Sequence, residues 1–195
     1  MLLKEWTVTN NQLAELAVIR HGAKQEAREL ALLIPLVSSL APLTILEIGS
    51  AVGGTILIWT VCGDCNARII SVDKDNNFHK EEVWRTWMRE GQSLTVIAGD
   101  SHDPLTINSV HRALNGEPIN MLFIDGSHTY DGVRMDYDNY HRYVPSGGII
   151  VLHDIAIRRA DMWVWKLWEE LRTEYLHVEI IDASNPCGLG ILYVR

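Results

Sequence analysis

Five short apolar runs, each ending in a small or acidic residue and each separated from the next by a longer amphipathic stretch, constrain this chain more than any other feature. Thr44 to Gly49, Arg68 to Asp73, Leu94 to Gly99, Ile119 to Asp125 and Gly148 to Asp154 read as strands. Between them Gly54 to Cys62, His79 to Glu90, Leu105 to Asn115 and Tyr130 to Tyr143 are long enough for crossover helices that bury a sheet on both faces. Strand and helix in alternation predict an α/β fold, a Rossmann-like, doubly wound parallel sheet. After a helix from about Ala160 to Thr173, His177 to Asp182 and Leu189 to Val194 are joined by Ala-Ser-Asn-Pro-Cys-Gly. So short a joint predicts an antiparallel hairpin at the sheet edge, which makes seven strands.

Ahead of the sheet, Leu16, Ile19, Ala23, Ala27, Leu30 and Ile34 recur at helical spacing, with Gly22 a weak point and Pro35 a stop or kink. No repeat, low-complexity tract or linker divides the 195 residues, so we expect one domain, with residues 1–40 a helical extension and 44–195 the core. A hydrophobic share of 47% with 22% charged residues suits an ordinary globular chain. Seventeen basic against twenty-five acidic residues leave a net charge of −8, which would repel a phosphate backbone, so nucleic acid is not an expected partner. Three cysteines do not make a disulfide framework. Cys62 and Cys65 have the spacing of a zinc or redox pair, but Cys187 alone cannot complete a second pair, and they read as ordinary thiols. Lys4 and Glu5 stand where a secretory segment would be apolar, and the richest apolar stretch, Leu30 to Leu43, is interrupted by Pro35, Ser38, Ser39 and Pro42. A cytoplasmic protein without membrane spans is the expectation.

Ligands of open parallel sheets bind at the carboxyl ends of the strands, where strand order reverses. The first strand runs into Glu47-Ile48-Gly49-Ser50-Ala51-Val52-Gly53-Gly54-Thr55, a glycine-rich loop opening a helix, whose amides can cradle a polar or anionic group. A dinucleotide loop would carry glycine where Ala51 stands, and no lysine followed by Ser or Thr closes a P-loop. Asp73 ends the second strand, followed by Lys74, and Gly99-Asp100-Ser101 ends the third. At the fourth and fifth ends, Asp125 and Asp154 are hard oxygen ligands suited to a divalent cation such as magnesium, which would lower the pKa of a bound hydroxyl. His128, neutral near pH 7, is a suitable proton acceptor beside them.

The pattern E-x-G-x-x-x-G-G-T resembles the first motif of class I S-adenosylmethionine-dependent methyltransferases. That resemblance implies that the acidic residue and the loop hold the methionine half of the cofactor, Asp73 its ribose and Gly99 to Ser101 its adenine. Phe-Ile-Asp-Gly-Ser-His at 123–128, with an acidic residue ending the next strand, resembles the metal-dependent small-molecule O-methyltransferases. The nearest branch includes macrolide-sugar O-methyltransferases and the family often labelled cephalosporin hydroxylase. By resemblance Asp125 is a metal ligand and His128 the general base. Two adjacent acidic residues complete that family's metal site; here the pair is His153-Asp154, which admits manganese or another nitrogen-accepting metal beside magnesium.

The implied activity is methyl transfer from S-adenosylmethionine to a hydroxyl of a small sugar, polyol or catechol-like acceptor, with a homodimer or higher homo-oligomer possible. The alternatives are a nicotinamide-dependent oxidoreductase and a non-catalytic protein that keeps the fold. Elsewhere, Trp163, Val164, Leu167, Trp168 and Leu171 predict an apolar stripe that Trp165 leaves, and Arg158 and Arg159 read as a solvated pair near the substrate side. Tyr130, Tyr137 and Tyr140 predict a buried helix face.

Overall fold

The computed structural model describes residues 8–75 and 78–195. Strands β1 (Thr44–Ile48), β2 (Arg68–Asp73), β3 (Ser93–Ala98), β4 (Met121–Ile124), β5 (Ile149–His153), β6 (Leu176–Ile180) and β7 (Leu189–Tyr193) form one sheet in the order β3-β2-β1-β4-β5-β7-β6. The first five pair in parallel, and β7 runs antiparallel to both β5 and β6. All seven expected strands are present, and the order reverses between β1 and β4, so the ends of those two strands open the crevice where ligands bind.

Period-two alternation divides the core between the two faces. Ile45, Met121, Phe123 and Val151 pack under helices α1 (Asn10–Glu15), α2 (Ala27–Leu40), α3 (Gly54–Cys62) and α4 (Phe78–Arg85). Leu46, Ile48, Leu122, Ile124 and Leu152 pack under α5 (Pro104–Leu114), α6 (Tyr130–Tyr140) and α7 (Val164–Leu171). Burying each such side chain contributes about 1.5–3 kcal/mol. Tyr137 and Tyr140 join the second face as the sequence predicts, with Tyr130 only partly buried. Among the described residues no helix is long and apolar enough to cross a membrane.

The N-terminal periodicity does not make one continuous helix. After α1 the chain takes a π-helical turn at Leu16–Arg20, which rotates the register and leaves Ile19 77% exposed instead of buried. It then breaks at Gly22 (φ +70°), where a Cβ would lie 2.6 Å from Val52 Cγ2. Pro35 does not end α2, which runs on to Leu40. Lys4 and Glu5 lie outside the described residues. Helix α7 starts only at Val164, so Trp163 leaves the expected stripe: it is 40% exposed and stacks on Trp165, with ring centroids 5.8 Å apart. Trp165 in turn carries the Arg158 guanidinium 4.4 Å from its ring, and Arg158 also pairs with Glu169.

Candidate active site

Gly49 follows β1 with φ +87°, and a Cβ there would sit 2.0 Å from the Asp125 carbonyl oxygen. Only glycine lets the end of β4 approach the loop this closely. Gly53 and Gly54 also stand at close packing contacts. A Cβ on Gly53 would meet the Trp84 indole at 2.2 Å, and one on Gly54 would meet the backbone of Ala23 and Ala17 at 2.4 and 2.6 Å. The loop is thus clamped between α4 and the N-terminal segment. Its Ala51 N–H donates to Asp73 Oδ2 at 2.6 Å, which ties the loop to the end of β2.

A cavity of about 910 Å³ opens over these strand ends. Gly49, Ala51, Asp73, Lys74 and Gly99 to Ser101 line one side; Asp125, His128, His153 and Asp154 line the other. Of the residues picked from the sequence, Glu47, Ser50, Gly53, Gly54 and Thr55 are absent from its wall. Glu47 is fully buried on the α3 side and accepts a short hydrogen bond from Thr55 Oγ1, while Ser50 Oγ lies 2.6 Å from Ser71 Oγ. These side chains brace the loop from beneath. Burial pushes the Glu47 carboxyl up to about 8, against the opposing bond from Thr55.

Opposite the loop, Asp125, His128, His153 and Asp154 converge. His153 Nδ1 is 3.1 Å from Asp125 Oδ1 and 3.4 Å from Asp154 Oδ1. His128 Nε2 is 3.2 Å from Asp154 Oδ2 and 3.7 Å from Asp125 Oδ1. Burial would raise Asp125, but the charge of His153 and hydrogen bonds from both histidines outweigh it and hold the carboxyl at about 2. The bond to Asp125 raises His128 above the ordinary imidazole value, against partial burial. His153 rises well above it: burial opposes, and the charge and hydrogen bond of Asp125 prevail.

Neither His128 nor Asp100 is a helix cap. Thr129 caps α6, and Asp103 caps α5. His128 is held by its backbone, whose carbonyl accepts from Trp163 N–H at 2.7 Å. Asp154 takes a left-handed conformation (φ +63°), a strained turn that follows β5 at the cavity wall.

Several residues at the site escape sequence reasoning. Gln25 Nε2 donates to Asp125 Oδ2 at 2.6 Å, Lys24 and Cys187 line the cavity, and Asp136 is buried beneath it, bonded by Ser101 Oγ at 2.6 Å and 3.0 Å from His102 Nε2. Gln25 and Cys187 come from opposite ends of the chain, and no motif links them to the central strands. Asp136 carried a signal, since a lone acid on an apolar helix face needs a buried partner.

A family model described as "Methyltransferase domain" matches residues 46–155, more than half of the chain. The uncharacterized protein y4gI of Sinorhizobium fredii is 24% identical over 166 residues, 81% of this chain. The chain spans 18% of that protein's length and 51% of a second curated relative's. Among solved structures, the O-methyltransferase TomG from Streptomyces achromogenes, in complex with S-adenosylmethionine, superposes with a TM-score of 0.68 at 14% identity, covering 100% of this chain and 93% of that one. The MycE methyltransferase of the mycinamycin pathway, with Mg and S-adenosylhomocysteine, gives 0.65 at 15% identity over 96% of this chain and 55% of that one. At these identities the likeness is one of fold, the Rossmann-like methyltransferase sheet.

Proposed function

Because the chain belongs to the methyltransferase-domain family, we propose that it transfers a methyl group from S-adenosylmethionine to a hydroxyl of a small molecule such as a sugar, polyol or catechol-like acceptor. The observation that carries this reading is the convergence of Asp125, His128 and Asp154 on a cavity whose opposite wall is the glycine-rich loop and the ends of β2 and β3. Its volume of about 910 Å³ suits a cofactor together with a small acceptor. TomG and MycE, with a bound cofactor on the same fold, support the reading by analogy.

In this reading the backbone of Gly49 and Ala51 faces the methionine half, Asp73 and Lys74 the ribose, and Gly99, Asp100 and Ser101 the adenine. Asp73 accepts from the amides of Ala51 and Asp75, which leaves lone pairs for both ribose hydroxyls. His128 takes the acceptor's proton, and Asp125 and Asp154, which face its Nε2, stabilise the imidazolium that results. Holding oxygen, methyl carbon and sulfur in line is the main task of the walls.

The residues also fit a divalent cation. Asp125, His128 and Asp154 bring ligand atoms within 4.8 Å of one another, and the buried His153 Nε2 lacks a hydrogen-bond partner. Asp154 and His153, with Asp125 beside them, would hold a divalent cation, which when bound lowers the pKa of the acceptor hydroxyl.

Calorimetric titration with S-adenosylhomocysteine, with and without magnesium or manganese, followed by methyl transfer to a panel of polyhydroxy acceptors, tests the proposal. Cofactor-product binding and metal-stimulated transfer are expected. Binding of NAD without binding of S-adenosylhomocysteine would overturn it.

A further inference from the structure

His153 presents its two ring nitrogens to different surroundings. Nδ1 faces Asp125 Oδ1 at 3.1 Å, while Nε2 is buried without a hydrogen-bond partner in a residue only 3% exposed. Leaving such an atom unsatisfied costs about 1–3 kcal/mol. Beside the ring stands Cys187, a free cysteine on the connection from β6 into β7. A ring nitrogen of His153, the Cys187 sulfur and an Asp154 carboxylate oxygen all lie within 4.8 Å of one another, and all three residues line the cavity.

We propose that His153 Nε2, Cys187 Sγ and the Asp154 carboxylate form a site for a thiophilic divalent cation of the zinc class, with Asp125 acting through His153 instead of as a ligand. The proposal rests on the methyl-transfer reading for its place in the mechanism and sharpens which cation that site takes.

Three observations favour this set over an all-oxygen one. Asp125 Oδ2 accepts from Gln25 at 2.6 Å and its Oδ1 faces His153 Nδ1, whereas His153 Nε2 is buried without a hydrogen-bond partner and Cys187, in no disulfide, stands beside the same ring. A carboxylate on the far nitrogen of an imidazole is the arrangement that orients a metal-binding histidine and raises its basicity. The donors are sulfur, nitrogen and oxygen, which suit zinc or cobalt, while magnesium favours oxygen alone. Metal bonds of about 2.0–2.3 Å put tetrahedral ligand atoms roughly 3.5 Å apart, so side-chain rotation that turns Nε2 toward Cys187 and Asp154 closes the set. On binding, the Cys187 S–H bond breaks, the sulfur lone pair forms the bond to the cation and the proton leaves to solvent. Three protein ligands leave a fourth position open to the cavity for an acceptor oxygen, and His128 stays free as the base.

Metal-stripped protein titrated with Co²⁺ provides the test. One equivalent is expected to give a thiolate-to-cobalt charge-transfer band and tetrahedral ligand-field absorption, both displaced by Zn²⁺. Cys187→Ser should abolish the charge-transfer band while keeping the native circular dichroism spectrum, and Cys65→Ser, at the exposed thiol, should leave it intact. Asp125→Asn should weaken binding about 10–100-fold without removing the band. Cobalt bound without the band, or a band that survives in Cys187→Ser, would overturn the site. Binding of S-adenosylhomocysteine by the same protein separates the two readings: its loss counts against methyl transfer, and the cobalt spectrum still decides the metal site.

Discussion

Gln25 donates a 2.6 Å hydrogen bond to Asp125 Oδ2 across one hundred positions of sequence. This bond joins the segment that crosses the glycine-rich loop to the end of β4, and it makes the N-terminal extension part of the site. A hydrogen bond to a charged group contributes about 1.5–3 kcal/mol.

Replacing Gln25 by Ala should therefore lower turnover roughly tenfold or more, the equivalent of that bond in the transition state. Binding of S-adenosylhomocysteine should change far less, because Gln25 contacts Asp125 and not the loop amides. Steady-state kinetics beside calorimetry check this, and equal losses in both would assign Gln25 a merely structural part.

His128→Ala should retain cofactor binding and lose about 10²–10⁴-fold in rate, the usual contribution of a general base. In the metal-free wild type, the bond from Asp125 keeps His128 protonated to higher pH than an ordinary imidazole, so any rate should rise through a pKa above 6.5. Asp154→Asn should move that limb downward. An unchanged rate in His128→Ala would remove the residue from the chemistry.

Gly49→Ala should be the most damaging single change to the loop. The new Cβ would meet the Asp125 carbonyl oxygen at 2.0 Å, and the backbone there has φ +87°. Backbone cannot yield as a flexible side chain does, so we expect a loss of at least about 1–3 kcal/mol in urea unfolding.

Stability should carry a signature of Glu47. Its folded pKa of about 8 lies above the ordinary 4.5, so the folded state holds a proton that the unfolded state has released. The contribution of this group is fully present below about pH 4.5 and is lost as pH rises toward 8, at up to about 1.4 kcal/mol per pH unit. Glu47→Gln should remove that component, giving a flatter stability profile between pH 5 and 8 in denaturant titrations. A slope equal to that of the wild type would mean that Glu47 is ionised in the fold.

Much of this architecture was legible in the chain because its signals are local. The apolar runs from Thr44 to Asp154 made the strands, and the hairpin at Ala183 to Gly188 set the antiparallel edge. The strand-end acids followed from the same reading, since Asp73, Asp125 and Asp154 all reach one cavity. The reading was less sound where a local pattern has two uses. Glycines at 53 and 54 suit a ligand cradle and a close helix contact equally well, and only the fold shows the contacts with Trp84, Ala17 and Ala23. Helical spacing from Leu16 to Ile34 could not reveal the π-turn at Leu16–Arg20 or the break at Gly22, where Val52 approaches from the glycine-rich loop.

The sequence by itself determined the sheet, the strand ends at which a ligand is expected and the acids that end its strands, because hydrophobic period and turn chemistry act between near neighbours. Only the tertiary structure decided how those acids are used. Asp125 is shared among Gln25, His128 and His153, and His153 turns its free nitrogen away from Asp125 with Cys187 beside its ring. Those partners come from residues 25 to 187, and a charge in a low-dielectric interior takes its properties from whatever the fold sets within a few ångströms of it, regardless of separation along the chain.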